Sequence, residues 1–188
     1  MKQLIYDAGL VRRSSESGVH EVVITTAGIK RDRNQIVPTG GKLDAYLRNP
    51  VVLYGHWGSP IGRTLALSVA DDGITARFEF APPGVSQQAD EVRRLWEVGL
   101  LNAASIGILP LKSEELPDKE DSWWPPLKIT EWELVEWSIV PVPADADALR
   151  RALGWEQIRE AANRVVKPSE EELALQVIRE LRSTLCLM

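Results

Sequence analysis

The chain reads as an α+β domain built on an antiparallel sheet or barrel, and three observations carry that reading. Segments rich in β-branched and aromatic residues outnumber helical ones. Strands and helices do not alternate as a parallel βαβ fold requires. Asp71-Asp72-Gly73 stands between two alternating apolar runs, a strong hairpin signal.

Taken in order, residues 19–27 (VHEVVITTA) are β-branched and predict a strand, followed by a polar, glycine-rich loop over 28–41. Leu43, Tyr46 and Leu47 fall at helical spacing within 42–48, and Asn49-Pro50 ends that helix. A short apolar strand, 51–54, runs directly into Gly55-His56-Trp57-Gly58. The hairpin strands are 61–70 and 74–81. Ser86 is placed to cap a helix that carries an apolar stripe of Val92, Leu95 and Trp96 and closes at Gly99. Residues 100–110 predict a buried strand, and 112–126 a polar loop with Trp123 and Trp124 folded against the body. Residues 127–142 form a long strand region, bent or split. From Ala144 the pattern turns helical, and a last helix begins at Ser169 with Glu172 completing a capping box. Residues after 154 therefore predict a helical tail, whose stripe of Leu173, Val177, Ile178 and Leu181 is open to three uses: covering the sheet, dimerising, or docking elsewhere.

Composition narrows the function classes. At 188 residues, 44% hydrophobic and 26% charged, the chain has the make-up of one soluble domain. No apolar run approaches the roughly 20 residues that span a bilayer. The basic pair Arg12-Arg13 follows the short apolar stretch at the N-terminus, the wrong order for a secretory signal, so the expected location is the cytoplasm. One cysteine, Cys186, excludes an internal disulfide, and with two histidines a structural zinc site is not expected. No cofactor and no metal are implied. A net charge of −5, without a sizeable basic cluster, argues against nucleic acid. Lys30-Arg31-Asp32-Arg33 is expected to be a solvated loop group.

A serine hydroxyl becomes a useful nucleophile only when a base takes its proton. His20 starts an alternating strand and fits a structural role. His56 stands between a strand end and a glycine, exposed enough for proton transfer, with Trp57 beside it to restrict water. Ser105 lies in Ala103-Ala104-Ser105-Ile106-Gly107, where small neighbours let a substrate backbone approach. On residues alone its ordinary reading is a buried strand serine hydrogen-bonded within the sheet, and Ser138 shares that ambiguity. Period-two alternation puts Leu134, Glu136, Ser138 and Val140 on one face. A carboxylate on an apolar face needs a partner, either a histidine N–H or an arginine such as Arg63.

Four stretches in register carry a resemblance. Asn49 to His56 with Pro60-Ile61-Gly62-Arg63 resembles the histidine motif of the tailed-phage prohead (capsid-maturation) serine proteases. Gly99 to Ile108 resembles their serine motif, and Glu133 to Ala144 their third motif; Arg31 to Gly41 also fits. The family is related in fold to herpesvirus assemblins. The resemblance implies a small, mainly antiparallel β-barrel wrapped by helices over 1–153, with 154–188 as a C-terminal tail that is removed or docks. It implies a serine endopeptidase that cleaves phage scaffold and major capsid proteins, and itself, inside the immature capsid in the host cytoplasm. The alternative is a catalytically idle capsid-assembly component of the same fold. Neither nucleic acid nor membrane is expected as a partner, and a homodimer is allowed. By the same resemblance His56 is the base, Ser105 the nucleophile and Glu136 the third member, with Glu133 in reserve. Backbone N–H groups at Ile106 and Gly107 are the oxyanion donors the mechanism calls for, with Arg63 a weaker choice.

Overall fold

The computed structural model describes residues 4–7, 18–117 and 124–150. The boundary at 153/154, the tail helices, Trp123 and Arg12-Arg13 lie outside the described residues. In chain order the elements are β1 (Leu4–Asp7), β2 (Val19–Thr26), β3 (Gln35–Ile36), β4 (Gly41–Lys42), α1 (Asp44–Leu47), β5 (Val51–Tyr54), β6 (Gly62–Ala70) and β7 (Gly73–Phe80). Then come α2 (Gln87–Glu97), β8 (Ala103–Glu115) and β9 (Leu127–Val140).

Among the described residues nine strands make one mixed sheet, and β9 is its spine. Along one edge of β9 runs the antiparallel β8; along the other lie β3, β4 and β5 in turn, all parallel to it. From β5 the sheet continues antiparallel through β6 and β7 to β2, while β1 also pairs with β6. The hairpin forms as the sequence predicts, with Ala70 paired to Gly73 across a two-residue turn. Gly73 is required there: a Cβ would stand 2.7 Å from the Thr25 carbonyl oxygen of β2.

The ladder is an open sheet rather than the closed barrel that was expected. Its two edges, β2 and β8, lie near each other without pairing, and among the described residues 148–150 bridge their backbones. Val23 N–H donates to Leu149 O at 3.1 Å, Ala104 N–H to Ala148 O at 2.9 Å and Arg150 N–H to Asn102 O. The stretch from Ala144 to Arg150 is therefore a turn followed by bridging backbone, not the helix its composition suggests.

The core lies on the inner face, where Trp96, Trp132, Trp137 and Phe78 are fully buried with Ile24, Leu67 and Leu134. Each contributes on the order of 2 kcal/mol or more of hydrophobic stabilisation. Helix α2 supplies Ala89, Val92 and Trp96 from one stripe. Ser86 Oγ accepts from Ala89 N–H at 3.3 Å to start the helix, and Gly99, at φ 76°, follows its end. Beneath β5, Trp137 Nε1–H donates to Thr64 Oγ1 at 2.7 Å, and Thr64 shares a 2.6 Å hydrogen bond with the Tyr46 hydroxyl. That buried network ties α1, β6 and β9 together and fixes β5 against β9. Burial pushes the Tyr46 phenol well above its ordinary range, outweighing the hydrogen bonds from Thr64 and Trp137 that pull it down.

Two expectations about the strands need correction. Strand β8 continues through the polar Lys112–Glu115, where a loop was expected, because β9 pairs with it throughout. In β9 the alternation breaks: Gly107 opposes Glu136 but Ile108 opposes Leu134, leaving Val135 bulged and exposed. Leu134 therefore joins Trp132 and Trp137 in the core, while Glu136 and Ser138 keep the opposite face. Trp124 also stands mostly in solvent rather than folded inward.

Candidate active site

The centre of the site is the turn after β5. Gly55 and His56 both have left-handed backbone, at φ 67° and 71°. Glycine adopts that conformation freely, but for histidine it costs roughly 1–2 kcal/mol. The bonds that hold the turn are specific. Gly55 N–H donates to Ile139 O at 3.0 Å, and His56 N–H donates to Ser138 Oγ at 3.0 Å. The ring is fixed as well, with His56 Nδ1 2.7 Å from Glu136 Oε1. Ser138 Oγ–H donates to Glu136 Oε2 at 2.7 Å. One serine thus holds both the acid and the backbone of the histidine.

With Nδ1–H given to a carboxylate, Nε2 is left with a free lone pair. The His56 side chain is 34% exposed and that of Glu136 14%, so the carboxylate is sheltered while the ring reaches outward. Trp57 does not screen the ring from water as expected, since it is 90% exposed.

Ser105 is brought to this group by register. It lies directly opposite Ser138, and opposed residues of an antiparallel pair point to the same face with Cβ atoms about 5 Å apart. Ser105 is buried at 6% exposure. Among the described residues no hydrogen bond joins its hydroxyl to the His56 ring; each neighbours Ser138, Ser105 across the ladder and His56 through its backbone N–H.

The backbone of β8 sorts the two expected oxyanion donors. Ala104 N–H and Asn102 O both bond to residues 148–150, on the side away from β9. Alternation then turns Ile106 N–H to that same open side and sends Gly107 N–H into the β9 ladder. What Gly107 supplies is room, because a Cβ there would come within 3.2 Å of Glu136 Cγ and Cδ and closer still to Oε1.

The remaining candidates lie elsewhere. Glu133 sits beside Lys42 and opposite Leu109, further along β9 than the imidazole reaches. Arg63 pairs with Glu79 at 2.5 Å and with no catalytic candidate. His20 packs against Phe78 and Phe80 at centroid distances of 5.3 Å. Burial, with Arg150 nearby, lowers its pKa to about 4.

Sequence reasoning missed a second feature. Lys30 is not solvated: its Nζ lies 2.5 Å from Asp145 Oδ2, with the two side chains 4% and 7% exposed. Asp145 also accepts from Thr26 N–H at 2.6 Å and from Asp147 N–H at 3.1 Å. Burial alone would raise this carboxyl, but the hydrogen bonds from Lys30, Thr26 and Asp147 outweigh it and hold it below the usual carboxylate range. Arg31 reinforces the contact by donating to Pro143 O at 2.7 Å. Beside this pair a cleft of about 240 Å³ opens between β2 and β8, with Ser105 in its wall. No motif signals the pair, because its members lie 115 residues apart.

An imidazole oriented by a carboxylate, on the sheet face that also carries a strand serine, has the composition of a Ser–His–acid hydrolase site. The sequence model of the caudovirus prohead serine proteases matches residues 17–160, which include all of these groups. The chain belongs to that family, and with it goes a serine peptidase's role at the prohead in capsid maturation. No curated protein and no solved structure matches the chain.

Proposed function

We propose that the chain is a serine endopeptidase that cleaves scaffold and major capsid proteins, and its own chain, within the immature capsid in the host cytoplasm. The observation that carries this reading is the 2.7 Å Glu136–His56 hydrogen bond on the face that Ser105 shares. His56 Nε2 takes the Ser105 proton as Oγ attacks the peptide carbonyl carbon. The Ile106 N–H faces the open side, where it can donate to the developing oxyanion. The C–N bond then breaks, and His56 passes its proton to the leaving amine. Water, deprotonated by the same imidazole, hydrolyses the acyl-serine. Glu136 keeps Nδ1 protonated and stabilises the imidazolium.

Co-expression of Ser105→Ala with the scaffold and capsid proteins, read by mass spectrometry, tests the assignment. Processed fragments are expected to vanish, since losing such a serine costs on the order of 10⁶ in kcat. Fragments identical to wild type would overturn it. A fluorophosphonate that labels Ser105 in the wild type separates an active protease from an idle assembly component of the same fold.

A further inference from the structure

We propose that the cleft between β2 and β8 is a substrate subsite that takes an aliphatic side chain of an extended polypeptide laid along the open edge of β8. This rests on the protease reading above. Among the described residues, 148–150 occupy the β8 edge only as far as Ala104; beyond it Ile106 turns its N–H and C=O outward with no strand paired to them. An exposed edge of this kind is a template for an added strand, and main-chain hydrogen bonds to it position a peptide whatever its sequence.

Selectivity then falls to the cleft. At about 240 Å³ it is smaller than a small-molecule site, for which roughly 300–1,000 Å³ is usual, and it suits one or two side chains. Its apolar wall includes Ile24, Ile36, Ile106, Ile108 and Ile129 and runs up to Ser105. The polar groups at its border already have partners. Lys30 and Asp145 neutralise each other, Asp32 accepts from Asn34 N–H at 3.1 Å and from Asn34 Nδ2 at 2.9 Å, and Asn34 Oδ1 accepts from Leu127 N–H at 2.9 Å. The Asp32 carboxylate keeps its charge at the solvent-facing border, but further in Lys30 and Asp145 neutralise each other, and an aliphatic side chain would meet Ile106 and Ile108 with Ile36 and Ile129 beneath them.

The test uses the full chain and a positional-scanning library of fluorogenic peptides. Wild type is expected to prefer a medium aliphatic residue at one substrate position. Ile108→Ala, which enlarges the cleft, is expected to move that preference at least fivefold toward Phe or Trp at the same position and at no other. Ile36→Ala is the second variant, with the same shift expected, so a folding defect in one leaves the other decisive. Fluorophosphonate labelling of Ser105 in the same samples shows which proteins hold a competent nucleophile. An unchanged preference in labelled variants overturns the subsite and leaves the protease standing. Failure of the wild type to label or to cleave overturns both.

Discussion

In the proposed mechanism Ser138 and Gly107 act on catalysis by positioning Glu136 and His56. Ser138 is fully buried and makes two hydrogen bonds at once, to the Glu136 carboxylate and from the His56 backbone. Its replacement by alanine leaves the acid, among the described residues, held by the imidazole alone and removes a partner from a left-handed histidine. Ser138→Ala is therefore expected to lower kcat about 10- to 100-fold, in line with small losses of alignment at reacting groups. If it acts through Glu136, Ser138→Ala added to Glu136→Gln should cost little beyond Glu136→Gln alone, because residues working as a unit are not additive. Multiplying losses in that cycle would show that Ser138 is merely structural. Gly107→Ala addresses the same carboxylate from the other strand. The added methyl meets Glu136 Cγ and Cδ, so the carboxylate must move while β8 stays paired. A fall of about 100-fold in processing rate with little change in urea midpoint is expected, and normal processing would show that Glu136 can be displaced without consequence.

Elements governed by local signals form where the residues place them. The β6–β7 hairpin has its Asp71-Asp72 turn, α2 has Ser86 and Gly99 at its ends, and β5 leads straight into His56. His56 and Glu136 were legible for a related reason, since a turn histidine and a sheltered carboxylate both need explaining. What was not legible depends on distant partners. Lys112–Glu115 is polar yet extended because β9 lies alongside, and the bulge at Val135 follows from how the two strands pair. Residues 144–150 have helix-forming composition, but Asp145 is claimed by Lys30 and Thr26, and 148–150 by the edges of β2 and β8. The Lys30–Asp145 pair thus anchors the segment that joins the two sheet edges. Removing one partner of a buried pair strands the other charge, at about 3–5 kcal/mol. Asp145→Ala should lower unfolding free energy by that amount in urea titration, and Lys30→Met with Asp145→Leu should recover much of it. If Asp145→Ala costs under about 1 kcal/mol, the segment is held by its backbone bonds instead.

At the scale of the whole molecule, stability should depend on pH through His20, which joins β2 to the aromatic cluster of Phe78, Phe80 and Trp96. Its pKa is lowered from 6.5 to about 4, first by burial and then by Arg150. The unfolded chain therefore takes up this proton near pH 6.5, whereas the folded protein resists it until near pH 4. Between those values the unfolded state binds more protons, so stability is complete above 6.5 and declines as pH falls toward 4. Asp145 acts in the same direction but lower down. Its carboxyl is held below the usual range, so its contribution persists through this window and is lost only in stronger acid. The two groups can therefore be separated. The wild-type urea midpoint is expected to drop steadily between pH 7 and pH 4.5, and His20→Phe, which keeps an aromatic ring in the cluster, should flatten that slope. Parallel slopes for the two proteins would assign the acid sensitivity to other groups and leave His20 a packing residue only.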